Sequence, residues 1–178
     1  VDYLNGAAHS PLIQAGVIHA QFETIHPFTD GNGRVGRALI HTVLARRGLT
    51  SRALLPISLV LATLSDHYID GLTSFRHDAP AGSAEASAAA NEWLRTFVGA
   101  ASVAVEQSEV LVGRIDELRQ SWTDRLTAHR IAIGLRSAPR ADSAVARLLA
   151  SLPEAPVITA TTLARTLGVS YPAANSAL

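Results

Sequence analysis

Apolar residues recur every third or fourth position through most of the chain, the spacing that gives a helix one buried face. Leu12, Ile13, Ala15, Gly16, Ile18, Ala20, Phe22 and Ile25 predict a helix with Ser10 as N-cap and Pro11 as its first residue. It runs to His26, where Pro27 stops it. A loop with two glycines, Phe28 to Gly33, leads into a second helix from about Arg34 to Arg47, with Gly48 just past its end. Ser58 is expected to cap a third helix reaching about Phe75, and Pro80 to Ser83 form a break of small residues. From Ala84 to about Arg136, the residues Trp93, Leu94, Phe97, Val98, Val105, Leu111, Ile115, Leu118, Trp122 and Leu126 predict two or three packed helices. Ser137 to Arg140 read as a linker. Three short helices follow, at 144–151, 161–167 and 172–178, with Gly168 in the last turn. No strand of note and no internal repeat is visible.

With 178 residues, 48% hydrophobic and 17% charged, the chain is globular, which excludes disordered, collagen-like and coiled-coil classes. Fifteen Arg, with no Lys, balance fifteen Asp plus Glu. That neutrality argues against a broad attractive field for nucleic acid or an anionic membrane, so any bound anion must be held locally. No apolar run approaches the roughly 18 residues of a spanning helix, and no secretory pattern opens the chain. Cysteine is absent, so no disulfide, thiol nucleophile or thiolate metal site is available. These features together give the expectation of a soluble, cytoplasmic protein with no membrane partner. Methionine is also absent and the chain opens on Val1, as expected for a processed form or piece of a longer product.

The stretch His26 to Arg37, HPFTDGNGRVGR, carries the chemistry. Gly31 and Gly33 permit backbone conformations closed to other residues, just ahead of a helix whose first amides lack intrahelical partners. Such a turn cradles phosphate through N–H groups and the positive end of the helix dipole. Arg34 and Arg37 lie one helical turn apart and can approach one anion from the same face. A polyphosphate suits this arrangement better than a single carboxylate. Asp30 offers one hard oxygen ligand, and one carboxylate plus substrate phosphates is a usual way to hold Mg²⁺. Asn32 can donate to a phosphate oxygen. His26 supplies an imidazole, a side chain suited to proton abstraction near neutral pH. Taken singly, a histidine at a helix end, a glycine turn and two arginines at this spacing are ordinary surface features; their order within twelve residues is not. A P-loop is excluded because GxxxxGK[ST] is absent, and GNGRVG lacks the preceding strand of a dinucleotide fold.

This segment resembles the Fic family motif HxFx[DE]GNGRxxR at every defined position and includes the commonly seen Pro27. HAQFETIHPF before it and LLPISLVLATLSDHYIDGL after it are similar to bacterial Fic proteins that carry a C-terminal winged-helix module. The resemblance implies an all-α fold: a Fic core over 1–136, without its N-terminal flap region, and a partial winged helix-turn-helix module over 141–178. It also implies a protein adenylyltransferase that moves AMP from ATP to a Ser, Thr or Tyr hydroxyl of a target protein and releases pyrophosphate. His26 would take the hydroxyl proton and Asp30 would hold Mg²⁺. Gly31, Asn32 and Gly33 would cradle phosphate oxygens, Arg34 would support the β-phosphate and Arg37 would meet the γ-phosphate. Phe28 would be a buried anchor.

Family relatives carry an inhibitory Glu in the pattern [ST]xxxE[GN] and a β-hairpin flap that clamps the target; neither is seen in this sequence, and residues upstream of Val1 would decide whether the protein has them. Alternative outcomes on the same fold are removal of AMP, or transfer of another phosphate-containing group. A reading of another class is a nucleotide-sensing, DNA-binding transcriptional regulator. TATTLARTLGVSYPAANSAL resembles the helix-turn-helix part of a winged helix, yet Val169 to Leu178 holds no Arg or Lys, which favours protein contact over DNA. A homodimer is a further expected arrangement. His19, seven residues before His26, is expected on a similar face in a packing role. Glu23 is read equally as an orienting group or a surface carboxylate. Trp93, Phe97, Trp122 and Tyr68 are expected in the core, and His9, His41, His67, His77 and His129 lack metal-ligand spacing.

Overall fold

The computed structural model describes residues 2–50, 53–135 and 138–178. Described elements are helices: α1 (Asp2–Asn5), α2 (Pro11–Ile25), α3 (Asn32–Arg46), α4 (Ile57–Thr63), α5 (Ser65–Phe75), α6 (Ala84–Ala132), α7 (Ala144–Ser151), α8 (Ala160–Leu167) and α9 (Tyr171–Ala177). Among the described residues there is no strand, in keeping with the all-α expectation, and no helix is long and apolar enough to cross a membrane. The chain divides into two compact units, residues 1–109 and 110–178, and the division falls inside α6.

In the first unit, α2 and α3 make the most extensive helix pair. The Ser10 hydroxyl caps α2 by accepting from the Ile13 N–H, and Pro11 opens the helix as predicted. At the end of the pair remote from the motif, Gln14 is fully buried and its Nε2 donates to the carbonyls of Tyr3 (2.6 Å) and Gly6 (3.0 Å). Arg46, in the last turn of α3, donates to the Asn5 carbonyl at 2.9 Å, and Arg47 donates to the Gln14 Oε1. The start of α2 therefore meets the end of α3, so the two run antiparallel and the loop between them lies at the opposite end. Behind them sits a core of Ala15, Ile18, Ile40, Val43, Leu44, Ile57, Val60, Trp93 and Phe97. Trp93 is fully buried and its Nε1–H donates to the Gly16 carbonyl at 2.8 Å. That approach needs a bare Cα, because a Cβ on Gly16 would lie 2.9 Å from the Phe97 ring.

Three sequence expectations change. The helix expected from Ser58 is two helices, with Pro56 at the N-cap of α4 and a break at Leu64. Ser58 lies inside the first turn, where its buried hydroxyl finds no partner among the described residues. The helices expected over 84–136 are one helix of 49 residues. No proline interrupts it, and a Cβ at Gly99 or Gly113 would meet nothing within 4 Å. Each glycine weakens a helix by about 1 kcal/mol relative to alanine, too little to end it in a run of strong helix formers. Val105, Leu111 and Leu118, whose spacing predicts packed helix faces, are exposed on this helix. Arg136, the expected end of this helical run, and Ser137, the first residue of the expected linker, lie outside the described residues.

In the second unit, α7, α8 and α9 close around Leu148, Leu163, Leu167 and Ala174. Ser143, Thr159 and Ser170 cap these helices by accepting from Ala146, Thr162 and Ala173 N–H groups. Gly168 takes the left-handed turn between α8 and α9 at φ 62°, as its place in the sequence predicts.

Replacing Trp93 by Phe removes the buried donor to Gly16 and part of the ring volume. Urea unfolding of Trp93→Phe should show a loss of about 1–3 kcal/mol with an unchanged slope. A loss within experimental error would show that the indole does not fasten α6 to α2.

Candidate active site

His26 is the C-cap of α2 and the only non-glycine residue with positive φ among the described residues (φ 49°, ψ 57°). Its N–H still bonds the Phe22 carbonyl at 2.9 Å. Proline at the next position bars His26 from continuing the right-handed helix, and the left-handed turn swings the chain into the loop. Five residues later, Gly31 is the N-cap of α3, again left-handed at φ 84°. The helix thus starts at Asn32, two residues earlier than the sequence predicts, and Gly33 lies inside its first turn without a positive φ.

No side chain caps α3. The Asn32 amide instead closes the loop on itself. Its Oδ1 accepts from the Phe28 N–H at 2.9 Å, and its Nδ2 donates to the Phe28 carbonyl at 2.5 Å and faces His26 Nδ1 at 3.2 Å. The Phe28 N–H can only donate, which fixes the amide orientation and makes Nδ1 the acceptor; neutral His26 then carries its hydrogen on Nε2. With both amide hydrogens committed, the Asn32 side chain has none left for a phosphate oxygen in this conformation. Its main-chain N–H and that of Gly33, in the first turn of α3, are the donors such a helix start presents. Phe28, expected as a buried anchor, is 51% exposed and rests against Phe22 at 6.1 Å between ring centroids. The loop is anchored by Asn32, itself only 3% exposed.

The charged groups expected at the site do converge. Arg34 folds back over Gly31 and pairs with Asp30, Nη2 to Oδ2 at 3.0 Å; the other Asp30 oxygen accepts from the Gly31 N–H at 2.6 Å. Both side chains of this pair are largely exposed, so it contributes no more than about 1 kcal/mol. Arg37 folds back over Gly33: a Cβ there would lie 3.2 Å from its Nη1. Two guanidinium groups therefore lie over the two glycines at the positive end of α3. Among the described residues no cluster of three or more His, Asp or Glu could hold a metal by protein ligands alone. Asp30 stands as a single exposed carboxylate, and that donor set fits a Mg²⁺ ion whose other ligands are water and substrate phosphate.

Behind the loop lies a buried polar layer that the sequence only partly signals. His19 is fully buried; its Nε2 meets the Tyr68 hydroxyl at 3.0 Å and its ring stacks on Trp93. Burial pushes the His19 imidazole below its ordinary 6.5, so it is held neutral. Burial also pushes the Tyr68 hydroxyl up to about 12, with the Glu23 carboxylate adding to the rise. Glu23 is buried, not a surface carboxylate, and its Oε1 finds no hydrogen-bond partner among the described residues. It occupies the space a Cβ of Gly36 would fill, and His19 Nδ1 faces the same glycine without a well-aligned hydrogen bond. The signal in the sequence is the spacing of His19 and Glu23, one helical turn apart opposite a glycine on the next helix. Arg76, which no motif marks, donates from Nη2 to the Glu23 carbonyl at 2.8 Å.

The site is thus a left-handed helix end bearing an imidazole, joined by a self-closed loop to a bare helix start under two arginines. Residues 1–44 match the model of the Fic/DOC family, and the likeness drawn from His26 to Arg37 is borne out there. Over 71 residues (38% of this chain) the sequence is 35% identical to protein adenylyltransferase fic-1 of Caenorhabditis briggsae, covering 13% of that protein. Over 54 residues (30% of the chain) it is 43% identical to a probable protein adenylyltransferase of Aquifex aeolicus, covering 17%. A Fido domain-containing protein of Dictyostelium discoideum is 40% identical over 60 residues, 34% of this chain and 37% of that protein. The matched stretches thus span well under half the length of these relatives.

Gly36→Ala should destabilise the protein by about 1–3 kcal/mol in urea unfolding, because its Cβ enters the Glu23 carboxylate. In a Glu23→Ala background the same substitution should cost under about 1 kcal/mol, since the space is then free. An equal cost in both backgrounds would refute this packing.

Proposed function

We propose that the chain is the nucleotide-binding and catalytic part of a Mg²⁺-dependent protein adenylyltransferase. The convergence of Arg34 and Arg37 over the glycines at the start of α3 carries this reading. Relatives named protein adenylyltransferases, 35% and 43% identical over 71 and 54 residues, support it. Polyphosphate oxygens accept from the first amides of α3 and from the two guanidinium groups, Arg34 on the β-phosphate and Arg37 on the γ-phosphate. Asp30 would hold Mg²⁺, which when bound offsets charge on the phosphates. Releasing Arg34 from Asp30 for this purpose costs little, because the pair is exposed.

The target hydroxyl oxygen attacks the α-phosphorus of ATP, and the bond from that phosphorus to the bridging oxygen of the β-phosphate breaks. AMP stays on the target oxygen and pyrophosphate leaves. His26 takes the hydroxyl proton. To accept at Nε2 the ring adopts its other tautomer, with hydrogen on Nδ1, and so leaves the 3.2 Å contact with Asn32. Positioning and charge neutralisation do the remaining work, with no covalent enzyme intermediate. The ATP requirement suits a cytoplasmic setting. Helices α7 to α9 are read as a partial winged-helix module over 141–178, with α8 and α9 as its helix-turn-helix part. Its Arg147 is turned inward to the Leu167 carbonyl, which favours a protein-contact role over DNA.

Incubation with ATP labelled at the α-phosphate, Mg²⁺ and a cell extract should label protein with wild type and not with His26→Ala. The variant should still bind ATP in calorimetry. Label transferred equally by both would sink the reading, as would loss of ATP binding in a folded His26→Ala protein. For Arg37→Ala, ATP affinity should fall about tenfold or more while AMP affinity changes little, because only ATP reaches that guanidinium. Equal losses would rule out a γ-phosphate contact.

A further inference from the structure

We propose that Arg76 is a positioning residue for His26, acting through the last turn of α2; the inference rests on His26 being the base. A helix leaves its last carbonyls without intrahelical partners. At the end of α2, the Phe22 carbonyl accepts from the His26 N–H, and the next carbonyl, that of Glu23, is taken by Arg76. A cation placed there also meets the negative pole of the helix. The two residues are 53 apart in sequence, so this cap belongs to the tertiary fold.

Arg76 is itself well placed to hold position. It is the C-cap of α5, and its N–H bonds the Leu72 and Thr73 carbonyls at 3.3 and 3.2 Å. Helix α5 is fastened to α2 at a second point, where Tyr68 meets His19 at 3.0 Å. The attachments fall at His19 and Glu23, successive turns of α2 leading directly to His26. Beyond them the chain enters a left-handed conformation that L-residues avoid. A fixed preceding turn on one side, with the Asn32 contact on the other, keeps that conformation aimed one way. A general base must reach the proton it takes to within about 3 Å, so a loosened turn lowers the rate of transfer. The nucleotide grip lies on α3 and its arginines, and remains.

The test uses the full chain as wild type, Arg76→Met and Arg76→Lys, read by amide hydrogen exchange at His26, by calorimetry with Mg²⁺-ATP, and by transfer rate. In Arg76→Met, His26 exchange should quicken about tenfold and kcat should fall by about the same factor, with ATP affinity within about twofold of wild type. Arg76→Lys, which keeps a charged donor, should recover most of both losses. Unchanged His26 exchange in Arg76→Met overturns the proposal, as does a loss of ATP affinity parallel to the loss of kcat, or a Lys variant no better than Met. If Arg76→Met does not fold, Arg76→Gln, which removes the charge and shortens the reach, takes its place: quickened exchange at His26 with ATP affinity kept supports the role, and exchange at the wild-type rate overturns it. If wild type transfers no label, adenylyl transfer is the failed claim, and His26 exchange still decides whether Arg76 holds the turn.

Discussion

Where α2 meets α3, the carboxylate of Glu23 lies in the volume that a side chain on Gly36 would need. That close approach sets the spacing of the two helices near the loop, and the loop has little freedom once it is set. The chain must reverse between Ile25 and Asn32, and it does so with left-handed residues at both ends, His26 and Gly31. Glycine takes such a conformation without strain, whereas a histidine there needs its surroundings to hold it. The burial of Glu23, its carbonyl bond to Arg76 and the Asn32 bonds to Phe28 are what hold it.

Polar groups around the loop are sorted by depth. Asn32, His19 and Glu23 are buried: Asn32 spends its amide on the loop and His19 its Nε2 on Tyr68, while Glu23 Oε1 has no hydrogen-bond partner among the described residues. Asp30 and Arg34 are exposed and joined to each other by a weak pair, so they remain available to a ligand. The chain has a formal net charge of zero, so no long-range field gathers anions here. Attraction comes from short-range donors: the amides of a bare helix start and two guanidinium groups within reach of one another.

The all-helical class, the boundaries of α2 and α7 to α9 and the position of the loop were legible in the sequence, because caps and breakers act locally. Ser10, Pro11, Pro27, Gly48 and Gly168 each do in the structure what their residue type favours. Ser58 misled because its hydroxyl could cap a helix, but Pro56 begins the helix first. The length of α6 was not legible, since periodicity alone does not say where one helix ends and the next begins without a breaker. Phe28 shows the limit at the site itself. The resemblance to the Fic motif implies a buried ring at this position, yet the amide of Asn32 supplies the anchor and leaves the ring half out. The part played by Asn32 could not be read from composition or spacing, because it depends on which backbone atoms the loop brings to the amide.

The match to the Fic/DOC family model covers residues 1–44, which include every member of the motif. The contacts that aim the motif come from elsewhere. Trp93 reaches the Gly16 carbonyl from α6, Tyr68 reaches His19 from α5, and Arg76 takes the Glu23 carbonyl from the end of α5. All three fall on one helix, at intervals that lead toward His26. A chain that ended at residue 44 would keep the imidazole, the glycines and both arginines, and would lose all of these fastenings. Short helices are marginal without tertiary packing, and a left-handed histidine at the end of one would keep only the contacts that Asn32 makes around it. The chemistry is therefore local in sequence and distributed in structure: twelve residues supply the groups, and the helices from 65 to 109 determine whether those groups point at the same place.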